Sequence, residues 1–374
     1  MKSCFKNASF WRKPASSNRS DDWTPAFPGV TVQKTMPLRD SFRSLKWLLT
    51  VLVAAIAVLF GLGIFVCRSS QAQENPIKVK IGYQALASSW VFYVANEKLP
   101  GRNKSFFEEE GLKVEGIRFD SSNTAAEAML RGDIATDSAT TMTVLFNIEE
   151  RSPGTLKCFG FQVHTKAEFL ESLISRAGSG IRRYTDLKGK RIGVFPGSLN
   201  QAITKLLLKD YLDPNKDLTI VQLTPPLQLQ ALTLGQIDAL ISYEPTTTLA
   251  LDQGIAELVE HSPWAKHIFE PFPVASYCFT RDYLTKTPEA ARRIARSWFK
   301  AIDYIRNHRQ AAANTVPKYV KVDPELAQRF NQPAQQKSGE IDKQAVQRLA
   351  DLYLTFGLIS RHIDTSDIYH SPER

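Results

Sequence analysis

The stretch Lys190-Arg191-Ile192-Gly193-Val194-Phe195-Pro196-Gly197-Ser198 decides how the rest of the chain is read. Its apolar run ends in a proline, glycine and serine break, the mark of a buried strand that turns directly into a helix. A helix is expected over 199–212, a strand over 217–223, a helix over 227–234 and a strand over 236–242. Strands that alternate with helices build a mostly parallel sheet covered on both faces. Upstream, the same succession occurs once before. Ile77-Lys78-Val79-Lys80-Ile81-Gly82-Tyr83 alternates like a strand. It is followed by a helix over 91–98, a strand over 112–119, a helix over 124–130, a short strand over 134–137, a helix over 142–150 and a strand over 156–162. Arg131-Gly132-Asp133-Ile134-Ala135 echoes Leu234-Gly235-Gln236-Ile237-Asp238. In both, a helix stops at a glycine, which tolerates positive φ, and a short strand follows. Two copies of one pattern imply two similar lobes rather than one long sheet.

Segments 169–176 and 274–281 read as extended connections, the second returning the chain to the first lobe. The expected architecture is therefore α/β, two doubly wound lobes joined by a two-segment hinge that can close over a ligand. Lobe I takes 73–176 plus 277–374, and lobe II takes 177–276. The C-terminal third reads as helical. Thr287 stands as a cap, Pro288 takes the first helical position, and Ala291, Ile294, Trp298, Ile302 and Ile305 form one apolar stripe. The opposite face, with Arg292, Arg293, Arg296 and Lys300, reads as solvated surface.

The formal net charge of +9 does not belong to this body. Residues 1–72 hold ten Lys/Arg against three Asp/Glu, and the remaining 302 residues hold 37 against 35. A nearly neutral body leaves no footprint for a polyanion, so no nucleic-acid partner is expected. The charge sits in a leader whose segment 47–66 (WLLTVLVAAIAVLFGLGIFV) is free of charge and preceded by Arg39, Arg43 and Lys46. Such a segment serves as an export signal or as an inner-membrane anchor. Small residues at Ser70 and Ala72 favour cleavage after Ala72, and Met36 is an alternative start. Ile64-Phe65-Val66-Cys67 is a poor lipoprotein processing site, because Val66 is bulky. Either outcome puts the body in the periplasm. Cys158 and Cys278, the two cysteines outside the leader, could pair there, although two separately buried thiols are the simpler reading.

Catalytic machinery is not found. The six histidines give no HExxH spacing, no GxSxG elbow is present, and Lys188-Gly189-Lys190-Arg191 lacks the frame of a phosphate loop. No metal, cofactor or enzymatic activity is expected. His164, beside Thr165, reads as a surface histidine after a strand. Polar and aromatic residues instead gather just past the strand ends, where open α/β sheets bind ligands. They are Tyr83, Gln84, Ser88, Ser89 and Trp90; then Ser121, Ser122 and Asn123; then Ser138, Thr140 and Thr141. The second lobe supplies Pro196, Gly197, Ser198 and Asn200, followed by Tyr243 and Glu244. Each of these residue types also caps helices. Their repetition at strand ends on two facing lobes is what points to a ligand.

With Lys80-Ile81-Gly82-Tyr83, Arg183–Val194 (RYTDLKGKRIGV), Pro196-Gly197-Ser198 and 239–245 (ALISYEP) quoted, the chain resembles a known family. It is similar over about residues 77–310 to the solute-binding proteins of ABC importers for nitrate, sulfonate, taurine and bicarbonate, a family that also holds thiamine-precursor binders. The resemblance implies the type II periplasmic binding-protein fold, with Trp90, Ser121, Thr140, Ser198 and Tyr243 in pocket segments. It also implies a small-molecule ligand, ABC permease subunits as partners and a monomer. The expected ligand is a small organic anion or zwitterion of the sulfonate, taurine and nitrate class. Glu244 near the pocket would repel a bare anion, and Trp90, Phe119 and Tyr243 could stack on a flat ligand. A thiamine-pyrimidine-precursor binder, or an enzyme of that pathway on the same fold, is the alternative; a membrane-tethered sensor is a third.

Overall fold

The structure is a computed structural model that describes residues 52–53 and 75–372. The chain divides into a unit Met1–Ala72 and a unit Gln73–Arg374. The expectations for the leader, its cleavage after Ala72 and the Cys67 site lie outside the described residues. Among the described residues, no helix is long and apolar enough to cross a membrane.

In the second unit the strands are β1 (Ile77–Tyr83), β2 (Leu112–Arg118), β3 (Thr136–Asp137), β4 (Thr140–Thr141), β5 (Leu156–His164) and β6 (Glu171–Arg176). They continue with β7 (Lys190–Val194), β8 (Leu218–Gln222), β9 (Ala239–Tyr243), β10 (Ala256–His261), β11 (Phe272–Thr280) and β12 (Ala334–Lys337). The expected duplication is present as topology. β1 pairs in parallel with β2 on one side and β3 on the other. β7 pairs in parallel with β8 and β9 in the same way. The helices between them, Ser122–Arg131 and Pro225–Thr233, precede matching stops. Gly132 at φ 80° and Gly235 at φ 63° both take the left-handed conformation that a side chain disfavours.

The long strands finish the two lobes differently from the sequence reading. Segment 169–176, expected as an extended connection, holds β6, which pairs antiparallel with both β9 and β10 and gives the order β10-β6-β9-β7-β8. Its alternation is apolar on both faces because both faces are covered: Leu173 and Ile174 are fully buried. β11 pairs with β5 and β4, and β12 adds to β5, which puts a strand into the C-terminal third expected to be helical. The passages between the sheets therefore run through 165–170 and 262–271.

The helix Pro288–Asn307 buries Ala291, Ile294, Trp298, Ile302 and Ile305, as its stripe requires. The Trp298 ring meets Phe107 at 5.6 Å and Phe92 at 6.4 Å between centroids. Its basic face is paired locally: Arg293 with Glu289, Arg296 and Lys300 with Glu110. Thr287 does not cap with its side chain; the hydroxyl donates to the Tyr283 carbonyl at 2.8 Å.

Cys158 and Cys278 are disulfide-bonded, which corrects the reading of two separate thiols. The strand register opposes them directly across β5 and β11, and both are fully buried. The bond closes a loop of sequence separation 120. Replacing both cysteines by serine should lower unfolding stability by about 2–5 kcal/mol. Urea unfolding of the oxidised wild type and the double variant checks this; equal midpoints would show that the cross-link contributes nothing.

Candidate functional site

At the ends of β1 and β3 the polar residues are tied to one another. The Gln84 amide nitrogen donates to both carboxylate oxygens of Asp137 at 3.1 Å. The Gln84 backbone N–H donates to Ser89 Oγ at 3.2 Å, and Ser89 Oγ lies 2.7 Å from Ser138 Oγ. Asp137 is fully buried, and loss of water pushes its carboxyl up to about 6, against the lowering effect of Gln84 and the backbone amides of Ser138 and Ala139. From below, Gln162 on β5 donates through Nε2 to the Ser88 carbonyl at 2.7 Å, the Tyr277 hydroxyl at 3.0 Å and the Ser138 carbonyl at 3.4 Å.

Other candidates of this lobe serve packing or capping. Tyr83 stacks on Phe92 at 5.0 Å and meets Tyr319 edge-on at 5.6 Å, inside an aromatic cluster. Trp90 is buried, donates Nε1–H to the Ala312 carbonyl at 2.9 Å, and carries the Arg309 guanidinium over its ring at 5.6 Å. Ser121 caps the helix Ser122–Arg131 by accepting from Thr124 N–H at 3.2 Å, and Asn123 is exposed on its first turn. Ser122 Oγ accepts from the Thr141 N–H at 3.0 Å. Thr140 is fully buried, and its Oγ1 has no hydrogen-bond partner.

In the second lobe, the Gly197 N–H donates to Gln222 Oε1 at 2.7 Å at the start of the helix Ser198–Leu208, where Ser198 is exposed. The Tyr243 hydroxyl donates to Asn200 Oδ1 at 2.9 Å, which joins the ends of β7 and β9. Burial, and then the charge of Glu171, raises the Tyr243 phenol well above its ordinary range, so it stays neutral. Glu244, the residue after Tyr243, is held by donors of the chain. Its Oε2 accepts from the Thr248 N–H at 3.1 Å; its Oε1 accepts from Thr248 Oγ1 at 2.9 Å and from Asn331 Nδ2 at 3.1 Å. Burial raises its carboxyl, and these donors oppose the rise. It borders a cavity of about 180 Å³, shared with Thr247, Leu251, His261 and Arg329.

The end of β5 holds a group the sequence reading missed. His164 is fully buried, which corrects the surface assignment. Its Nδ1 is in ion-pair contact with Oε2 of the equally buried Glu171, across the passage from β5 to β6. The Glu171 Oε1 accepts from the Trp264 N–H at 3.2 Å. Trp264 stacks on His164 at 5.9 Å and meets Tyr243 edge-on at 5.9 Å. The available signal was Gln162-Val163-His164: two polar residues on one face of an otherwise apolar strand. Among the described residues, no cluster of metal-ligating side chains occurs.

The NMT1/THI5 like family model matches residues 90–312. A Bacillus subtilis protein named for aliphatic sulfonates binding is 25% identical over 326 residues, covering 86% of this chain and 93% of its own. The periplasmic aliphatic sulphonate binding protein SsuA from Escherichia coli superposes with a TM-score of 0.63 at 18% identity, covering 79% of this chain and 93% of SsuA. The periplasmic nitrate-binding protein NrtA from Synechocystis gives 0.57 at 13% identity, covering 78% and 84%. At those identities the two structures establish the fold, which is the type II periplasmic binding-protein fold of two lobes.

Asp137 gives a test of the loop geometry. An unfolded aspartate titrates near 3.9 and this one at about 6. The unfolded chain loses its proton first as pH rises, so the stability that Asp137 contributes is complete below about pH 4. It declines by about 3 kcal/mol once pH passes 6. The stability difference between wild type and Asp137→Asn should shrink by that amount from pH 4 to pH 7 in urea unfolding. A constant difference would place the carboxyl in water.

Proposed function

The chain belongs to the NMT1/THI5-like family, and from that premise we propose that it is the extracytoplasmic solute-binding component of an ABC importer. It captures a small organic anion of the sulfonate class between its lobes and hands it to the permease. The observation that carries this reading is the pair of matched β-α-β units, β2-β1-β3 and β8-β7-β9, whose strand ends hold bonded polar residues, Ser89 with Ser138 and Tyr243 with Asn200. The names of the relatives, which refer to sulfonate, alkanesulfonate and nitrate binding, support the ligand class. Two reasons for preferring a cationic or flat ligand lose their force. The Glu244 carboxylate is already engaged by Thr248 and Asn331, and Trp90 is bonded into the core.

The lobes close about the passages 165–170 and 262–271, so these, rather than residues 176 and 277, are the proposed lobe limits. A micromolar ligand needs about 8 kcal/mol of net affinity. Hydrogen bonds to a charged group supply about 1.5–3 kcal/mol each, and a helix N-terminus adds about 0.3–1 kcal/mol. Several donors converging on one anion reach the total without a catalytic step.

Calorimetry with ethanesulfonate, taurine and nitrate tests the reading. At least one should bind, and solution scattering should contract on its addition. Tyr243→Phe removes the link to Asn200 and should weaken that affinity about fivefold, equivalent to about 1 kcal/mol. Absence of binding to all three compounds would reject the proposal. We further propose that the leader is removed after Ala72; an intact mass of the exported protein beginning at Gln73 is the expected result.

A further inference from the structure

β12 covers the edge of β5 from Val163 only as far as Gly160. At Cys158 the backbone of β5 is met instead by the segment 363–370. The Cys158 N–H donates to the Ile368 carbonyl at 2.6 Å, and the His370 N–H donates to the Cys158 carbonyl at 2.9 Å. Cys158 and Tyr369 form a single parallel bridge, so the cysteine is enclosed between β11 on one side and this segment on the other. A bare strand edge would present both backbone groups to whatever reaches it. Ile363 and Ile368 are buried in the apolar cluster that also holds Cys158 and Cys278. The segment is nevertheless fastened by few contacts. Thr365 donates its N–H and its hydroxyl to Gln347 Oε1 at 3.0 and 2.9 Å, and Ser338 Oγ donates to the His370 carbonyl at 2.6 Å. The Tyr369 ring leans on Phe161 at 5.8 Å. The Asp367 carboxylate meets Lys157 Nζ at 2.7 Å and Arg281 at 3.2 Å, one beside Cys158 and the other just past Cys278, with its side chain 69% exposed.

We propose that segment 363–370 is a strap that gates thiol access to the Cys158–Cys278 bond: it opens by itself, ahead of the rest of the fold, and the cross-link is reducible only while it is open. Both cysteines are fully buried when the strap is closed. Reduction needs a thiolate that attacks one sulfur in line with the S–S bond. That bond breaks, and the other cysteine leaves as a thiolate. The second thiol of a dithiol reductant then displaces the first cysteine, so the protein gains two electrons and two protons and the reductant departs as a disulfide. A fully enclosed sulfur offers no such line of approach. Exposed ion pairs such as those of Asp367 hold a segment weakly. The one regular element of the strap is the short turn Thr365–Asp367, whereas the strand it covers is laddered on both sides. Segments with few buried contacts open locally at lower cost than the core they lie on. β5 also carries Gln162, which holds the loops at Ser88 and Ser138, so the strap decides whether a reductant can loosen the strand beneath them.

The test is the rate at which excess dithiothreitol reduces the native protein at about pH 8, where part of its thiol is ionised. Alkylation of Cys158 and Cys278, located by peptide mass, reads the rate. In the wild type the rate should rise only weakly with low urea, because opening a strap exposes little surface, whereas global unfolding has a steep urea dependence. Ile368→Ala, which removes the buried anchor of the strap, should speed reduction roughly tenfold or more. Asp367→Asn should speed it about threefold. Ile302→Val, in the separate cluster around the helix Pro288–Asn307, lowers global stability and should leave the rate unchanged. Urea unfolding of each oxidised variant reports whether it folds; if Ile368→Ala does not, the wild-type slope, Asp367→Asn and Ile302→Val decide. A wild-type rate that climbs with urea as steeply as global unfolding overturns the inference. So does a rate that Ile302→Val raises as much as the strap variants do, or one that no strap variant changes.

Discussion

The amide of Gln162 holds the loop tips of the first lobe to the strand that leads out of it. Strand ends in an open sheet expose carbonyls that need donors, and a loop whose carbonyls lack them has no fixed position. Gln162 supplies donors to Ser88 and Ser138 at once, while the Gln84–Asp137 and Ser89–Ser138 contacts fasten the same two loops to each other. β5 in turn is fixed to β11 by its ladder and by the Cys158–Cys278 bond. The tips, the strand and its disulfide therefore behave as one body that ends at His164. Beyond His164 the chain enters the passage 165–170, and the return passage is stitched to it at Glu270, whose Oε1 accepts from the Lys166 N–H at 2.8 Å, and at Ser262. Ser262 donates through Oγ to the Thr165 carbonyl at 2.7 Å and through its N–H to the Glu171 carbonyl at 3.1 Å. Ser262 does so at φ 52°, a conformation uncommon for a residue with a side chain and maintained by those contacts.

This arrangement explains why the fold was easy to read from the chain and the site was not. The parallel units announce themselves locally: β1 and β7 coincide with their expected residues, and Gly132 and Gly235 end their helices in the expected conformation. Periodicity reports what a residue's immediate neighbours require, and these elements are made by their neighbours. The pairing of β6, read only as an extended connection, and the presence of β12 escaped because their partners lie far along the chain: β6 pairs with β9 and β10, and β12 with β5. The cysteines followed the same rule, since their opposition depends on the register of β5 against β11.

For the candidate site, sequence position located the loop tips and left the direction of each side chain open. Ser89, Ser138, Asn200 and Tyr243 come together in hydrogen bonds at the tips. Tyr83 and Trp90 stand one step away along the chain, yet their rings enter the aromatic core, where burial of a large apolar surface outweighs a place at the rim. His164 shows the reverse. A histidine followed by a threonine at a strand end reads as surface, and only the second lobe, which brings Trp264 over it, makes it interior.

The acidic residues near the tips raise an electrostatic question that the geometry answers. Asp137, Glu171 and Glu244 are all buried, and three bare carboxylates would repel an anion from the region between the lobes. None of them is bare. Asp137 accepts from Gln84 and two backbone amides, and its raised carboxyl reduces the charge further as pH falls toward 6. Glu244 accepts from Thr248 and Asn331. Glu171 is matched by His164 and by the Trp264 amide. Donors to a carboxylate spread its charge and use its lone pairs.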